Sequence, residues 1–418
     1  MKNLSFAVFI CLSLSTFVLA QDVENLTIEQ CIDIALQNNY QLRVAEMNVD
    51  IAEQDIVSAR SSWLPQVNSS FQFGKQINGK RLVKQDVPVD FDPVTGDVLY
   101  QERNVLYDQT ERNSYSASLS LDQHIYDFGR TGNNIRFAKA YQQFYEHNLF
   151  NQRQLVIANV SDKYYQLLKA KKLRDVYEEA VRHAEENLEY NQTMLDVGLK
   201  SQAEIYQARV NLGTQQTQLI NQKNNIELAK SALNNAMGRS PETPLDIAED
   251  LPAPIFPAYD FKEAMDIALE QNERLKAIEQ EVRASEYAIR SAKARYAPSI
   301  NARVSYNRNN DDIGRVYSTA LDEDFTATIG AGIDLNIFRG LADKAEIQRQ
   351  LIQHEMALEK LKEEKRILLT DIREYFLLLK SFQDILDINR ENLDAYQENL
   401  RLQQEKRRRS EERRVGKE

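Results

Sequence analysis

"ARSSWLPQVNSSFQFG", Ala59–Gly74, changes its period at a proline. Up to Trp63 the residues finish an amphipathic helix. After Pro65 they alternate, with Val67, Ser69, Phe71 and Phe73 to one side and Asn68, Ser70, Gln72 and Gly74 to the other. A residue before proline is pushed out of the α region, so the helix must end near Leu64. Period two then sends alternate side chains to opposite faces of a strand. The same switch recurs in "AKARYAPSINARVSYN", Ala292–Asn307. Trp63, Pro65, Tyr296 and Pro298 therefore mark two helix-to-strand transitions.

The recurrence belongs to a larger repeat. "EQCIDIALQNNYQL" from Glu29 lies over "KEAMDIALEQNERL" from Lys262, and the alignment runs without a gap to put Trp63 on Tyr296 and Pro65 on Pro298. Further blocks follow in the same order: "LDQHIYDFG" from Leu121 on "IDLNIFRG" from Ile333, "DKYYQLLK" from Asp162 on "REYFLLLK" from Arg373, and "ENL" at Glu186 on "ENL" at Glu398. Four blocks in one order make the chain a duplication. The first repeat covers residues 21–238 and the second 258–408. Between them, 239–257 is proline-rich and reads as an extended linker or irregular crossover, since proline fixes φ and lacks a donor.

"MKNLSFAVFICLSLSTFVLA", residues 1–20, has a lysine, a short apolar run and small residues at Val18 and Ala20, the pattern of a removed secretory signal. Cys11 leaves with it. Cys31 is then alone, so no intramolecular disulfide forms, and it is expected to pack as a small apolar helix residue. The net charge of −11 argues against a general nucleic-acid partner. No later apolar run is long enough for a membrane-crossing helix.

Each repeat reads helix, strand, loop, strand, very long helix. Strands are predicted at about 66–75, 114–126, 299–308 and 325–337. These exceed the usual five or six residues and suit tilted membrane strands, which need about nine to eleven. Their polar faces carry serine, threonine, asparagine and glycine, suited to a wet lumen. His124 falls on such a face and is expected to meet water. Phe71, Phe73, Tyr115, Tyr126, Tyr306 and Phe338 are candidates for aromatic girdles. Residues 131–237 read as a helical hairpin turning at Gly198, whose first arm would be about 100 Å long. Lys75–Asn113 and Arg308–Asp324 read as outward loops. Open strand edges cannot lie in lipid, so the strands must close with other copies. Two copies give eight strands with a filled interior; three give twelve and a pore.

The order of elements, its duplication, "DIAL", "WLP" and "YAP", "IYDFGR" and the "VGL" tip together resemble the TolC family of outer-membrane efflux proteins across nearly the whole mature chain. The resemblance implies an α+β membrane protein: a homotrimer with a twelve-stranded β-barrel in the outer-membrane lipid, continued by a long periplasmic α-helical coiled-coil tunnel. It implies an exit duct for a tripartite efflux pump or type I secretion system. Its partners would be a periplasmic adaptor and an inner-membrane transporter. On this reading Val197, Gly198 and Leu199 form the adaptor-contact tip, and Glu204 is a candidate tunnel gate. Gly198 also has the ordinary role of ending a helix in the left-handed region, and Glu204 that of an acid in a first helical turn.

No enzyme is expected. His124, His147, His183 and His354 have no metal-ligand spacing, no nucleophile elbow or phosphate loop is present, and no cofactor is called for. The alternative is a periplasmic coiled-coil adaptor or structural interaction protein. It would need a compact β-domain rather than long duplicated strands.

By the repeat alignment, Arg409 and Ser410 stand where Val197 and Gly198 stand, so a second hairpin turn is expected there. Instead the sequence ends "RSEERRVGKE", Arg409–Glu418, which resembles the translation of a sequencing adapter. The expectation is that 409–418 is non-native and that the second repeat is truncated near Lys406–Arg408.

Overall fold

The computed structural model describes residues 25–249 and 260–415. In chain order the first repeat contains β1 (Asn25–Leu26), α1 (Ile28–Asn38), α2 (Tyr40–Ser61), β2 (Gln66–Asn78), β3 (Arg81–Phe91), β4 (Val98–Tyr107), β5 (Thr110–Tyr126), α3 (Arg130–Asp196) and α4 (Gln202–Ala236). There follow β6 (Asp246–Ile247), α5 (Phe261–Gln271), α6 (Glu273–Lys293), β7 (Ser299–Asn310), α7 (Ile313–Val316), β8 (Phe325–Asp334) and α8 (Ala342–Val415).

The opening helix of each repeat is in fact two. Asn39, with ψ 125°, parts α1 from α2. Its Oδ1 accepts from the N–H groups of Gln41 at 2.9 Å and Leu42 at 3.3 Å, so the asparagine caps a fresh helix. Asn272, its equivalent in the repeat, parts α5 from α6. Apolar spacing continues through both breaks, which is why periodicity does not reveal them.

The chain forms two compact units. One comprises residues up to 49 with 146–267 and 272–274; the other comprises 50–145, 268–271 and 275–418. In the first, Leu26, Cys31 and Ala35 pack with Val160, Tyr164 and Leu167 of α3 and Leu233 and Met237 near the end of α4. Cys31 is fully buried, and burial pushes its thiol up to about 11. Leu245 and Ile247 belong to the same core, and β6 pairs parallel with β1. The opening of the supposed linker is thus packed rather than extended. Asn234, fully buried, donates to the Thr243 carbonyl at 2.8 Å, and Tyr164 Oη donates to Ala248 O at 2.8 Å, which pins the segment. The rest of that linker, 250–257, the signal at 1–20 and the last three residues of the 409–418 tail lie outside the described residues.

In the second unit an antiparallel sheet runs in the order β2-β5-β7-β8. Its strands cover 66–78, 110–126, 299–310 and 325–334. The last stops at Asp334 rather than 337. Ser299 pairs with Asp334, and Pro298 immediately before it starts no ladder, so Leu335–Ile337 have no strand to bond to. The stretch 75–113 is not a plain loop. Beyond the sheet, β3 and β4 form a two-stranded ribbon in which Arg81↔Tyr107 continues the register of Asn78↔Thr110. Within 308–324, β7 continues to Asn310 and is followed by the short helix α7.

α3 is 67 residues long and α8 is 74. The turn expected at Arg409–Ser410 is not formed, and α8 stays helical to Val415. Arginine and glutamate are good helix formers, and "RRRSEERRV" contains no glycine or proline to stop it.

Candidate functional site

The sheet separates its two faces residue by residue. Phe73↔Tyr115, Phe71↔Ala117 and Val67↔Leu121 pair on one face between β2 and β5. Leu119↔Tyr306 and Leu121↔Val304 extend that face to β7, and Val304↔Ile329 and Ile300↔Ile333 carry it to β8. The opposite face pairs Ser70↔Ser118↔Asn307↔Thr326, Ser120↔Ser305↔Thr328 and His124↔Asn301↔Gly332. Tyr317 covers part of the apolar face by stacking on Phe71 at 6.0 Å, but along β8 that face is bare in a single chain: Ile329 is 83% exposed and Ile333 72%. So broad an apolar surface calls for a non-aqueous neighbour.

The polar face is knitted by hydrogen bonds at the end of the sheet that joins the helices. Asn301 donates through Nδ2 to Asp334 at 2.9 Å, which turns its Oδ1 to accept from His124 Nδ1 at 2.8 Å. His124 Nε2 lies 3.2 Å from Asp127 Oδ2, and Arg303 pairs with Asp122. The imidazole, expected to face water, is instead held between strand and helix with 18% of its side chain exposed. A hollow of about 730 Å³ opens on this face, lined by Asp122, His124, Asn301, Arg303 and Asp334 among others. Asp127 caps α3 by accepting from Thr131 N–H at 2.8 Å and Thr131 Oγ1 at 2.5 Å. Burial raises its carboxyl, and these two bonds with the neighbouring His124 more than reverse that, so it sits below the ordinary value.

At the transitions, α2 ends at Ser61, Trp63 N–H bonds back to Arg60 O at 2.9 Å, and β2 starts directly after Pro65. Gln123 of β5 donates to Trp63 O at 2.9 Å, tying the bend to the sheet. In the second repeat a 3₁₀ turn, Ala294–Tyr296, precedes Pro298, and β7 starts at Ser299. Both aromatic rings at these bends, Trp63 and Tyr296, are half exposed.

At the hairpin tip Gly198 has φ +75°. Its N–H bonds to Leu195 O, and Leu199 N–H reaches back to Met194 O, each at 2.8 Å, the doubled closure that ends a helix. Val197 and Leu199 remain exposed. Glu204 accepts from Ser201 N–H at 2.8 Å and Ser201 Oγ at 3.1 Å, and it lies 3.3 Å from Lys200 Nζ. The backbone bond from Ser201, then Lys200, hold its carboxyl below the ordinary value. The carboxylate is therefore engaged in starting α4, which the "SQAE" spacing of a capping box signals in the sequence.

Residues 31–239 and 264–409 match the family described as outer membrane efflux protein. The chain belongs to that family. It is an outer-membrane protein reaching into the periplasm. Among relatives of outer membrane efflux proteins, it is 21% identical over 317 residues to the outer membrane efflux protein BepC of Brucella suis biovar 1 (strain 1330), covering 75% of this chain and 61% of BepC. The chain thus spans about three fifths of that relative's length. It is 19% identical over 356 residues to the proteases secretion protein PrtF of Dickeya chrysanthemi, covering 82% of this chain and 71% of PrtF. Its fold is that of CusC, whose crystal structures describe transmembrane channel formation: TM-score 0.71 at 17% identity, over 88% of this chain and 79% of that one.

Proposed function

We propose that the chain is an exit duct through the outer membrane, a passive conduit for efflux or type I secretion, closed as a ring of three copies. The observation that carries this is the sheet itself: four strands with one predominantly apolar and one polar face, and unpaired edges at β2 and β8. Lipid forbids an open edge, so β2 of one copy meets β8 of the next. Three copies make twelve strands, enough for a water-filled lumen lined by the serine, threonine and asparagine face.

Val197, Gly198 and Leu199 at the tip would meet a periplasmic adaptor, which links the duct to an inner-membrane transporter that supplies the energy. Glu204, six residues beyond Gly198, would put one carboxylate per copy near the constriction while it holds its cap. A ring of such charges favours cations and opposes anions. BepC is named an outer membrane efflux protein and PrtF a proteases secretion protein, which supports a duct for one or the other kind of export.

The test is reconstitution of the purified chain in planar lipid bilayers. Discrete ion-conducting steps are expected, with cation selectivity that weakens in Glu204→Gln. Inserted protein that never conducts would contradict the duct.

A further inference from the structure

The ribbon of β3 and β4 has no sheet beneath it, and isolated two-stranded ribbons are marginal in water. Its strands carry exposed apolar residues, among them Leu82, Phe91, Tyr100 and Leu106. Such an edge invites another chain.

Charge is distributed unevenly along it. From Lys75 to Lys84 the strand path holds Lys75, Lys80, Arg81 and Lys84 and no acid. Lys75 of β2 reaches Glu111 of β5 at 2.6 Å, and beyond the sheet Lys80 and Lys84 reach Asp108 at 3.2 Å and Glu102 at 3.6 Å. All of these side chains are largely exposed, so each contact is weak and leaves the cations free to take further partners. The segment 311–324, between β7 and β8, first doubles back over the sheet, with Asp311 3.9 Å from Arg112 of β5 and Tyr317 stacked on Phe71 of β2 at 6.0 Å, and its residues 322–324 then lead into β8 at the other edge. It carries Asp311, Asp312, Asp322, Glu323 and Asp324 against a single Arg315. Ribbon and acidic segment lie at the same end of the sheet, opposite the helices, because Asn78↔Thr110 and Arg308↔Phe325 close that end.

We propose that the cationic edge of the ribbon docks on the acidic 311–324 segment of a neighbouring copy, clamping the assembly outside the barrel. This rests on the closed ring proposed above. If β2 of one copy lies beside β8 of the next, the residues just beyond β2 come beside the residues just before β8. Lys80, Arg81 and Lys84 then face Asp322, Glu323 and Asp324 across that seam, while Asp311 stays beside Arg112 of its own chain. The clamp covers the free edge of β3 and fixes which edges meet. It also makes the outer seam sensitive to salt, since exposed charges are screened within about 10 Å at 0.1 M.

The experiment uses the full chain in detergent, carrying Arg81→Cys and Glu323→Cys; the native Cys31 is buried and does not compete. On mild oxidation, covalent dimers and trimers on a denaturing gel are expected. Lys80→Glu with Lys84→Glu should cut their yield at least tenfold, and adding Asp322→Lys with Asp324→Lys should restore it. Damage to the ribbon alone would not be rescued in that way. Native mass is measured on the same samples. An intact oligomer whose cysteines link only within a chain, or not at all, overturns the clamp and leaves the ring standing. A monomeric mass overturns the ring, and the clamp falls with it.

Discussion

A Cβ placed on Gly238 would lie 2.6 Å from the carbonyl oxygen of Asn38. The glycine ends α4 at φ +74°, and there the end of α1 comes against it, with Asn39 Nδ2 donating to Ala236 O at 3.2 Å. Two constraints, backbone handedness and lack of space, fall on one residue.

Gly238→Ala should therefore lower the melting temperature of the detergent-solubilised protein. Left-handed backbone alone costs a non-glycine residue about 1–3 kcal/mol. Gly213, exposed inside α4 with nothing within 4 Å of an added Cβ, is the control. Gly213→Ala should stabilise by about 0.5–1 kcal/mol. Equal effects of the two substitutions would refute the close-packed junction.

Acid should loosen the same unit. Lys171, with only 8% of its side chain exposed, bonds Asp246 at 2.7 Å and Glu249 at 2.8 Å, and Lys172 bonds Glu249 at 2.5 Å. The bonds from Lys171 and then Lys172 hold Glu249 down from 4.5 to about 2. Burial raises Asp246, but Lys171 and the Ile247 N–H more than reverse it. A depressed carboxyl contributes stability that is complete above its unfolded pKa and disappears as pH falls through the folded one. Melting temperature should drop between pH 4.5 and about 2, and Glu249→Gln should flatten that drop. An unaltered slope in the variant would remove Glu249 from the account.

The two faces of β8 can be told apart by charge. Ile329→Lys, on the apolar face, should cost about 2–4 kcal/mol near the bilayer centre and reduce outer-membrane insertion. Thr328→Lys, on the polar face, should insert normally and alter ion selectivity. Heat-modifiability on gels reports insertion. The reverse ranking would exchange lumen and lipid faces.

Gly198→Trp should leave insertion unchanged and weaken cross-linking to the adaptor, because only the tip is altered. Its strain at φ +75° is local to an exposed turn. Normal adaptor cross-linking together with normal transport would reassign the tip.

Much of this architecture is legible because it rests on local rules. Pro65 and Pro298 end helices wherever they occur, and the alternation in β2, β5, β7 and β8 survives because each strand must segregate two solvents. The long α3 is visible from the absence of proline and of interior glycine beyond Gly132. What escapes the sequence depends on partners distant in the chain or on single side chains. Leu245 and Ile247 look like linker residues until β1 supplies a strand and Tyr164 a wall. Asn39 and Asn272 break helices without breaking their period. The β3–β4 ribbon mixes apolar and charged residues on both faces. Its one clear signal is "DPVTGD", Asp92–Asp97, where Asp92 Oδ1 accepts from Val94 N–H at 2.8 Å and Gly96 takes φ +76°. Alternation alone sends His124 to water, and only the pairing with β7 brings Asn301 to it.

The claim on which the rest depends is that the two open edges of the sheet are closed by other copies of the chain. Native mass spectrometry of the full protein extracted from outer membranes in mild detergent counts those copies directly. Three chains per complex are predicted; a complex of one or two chains would contradict the barrel.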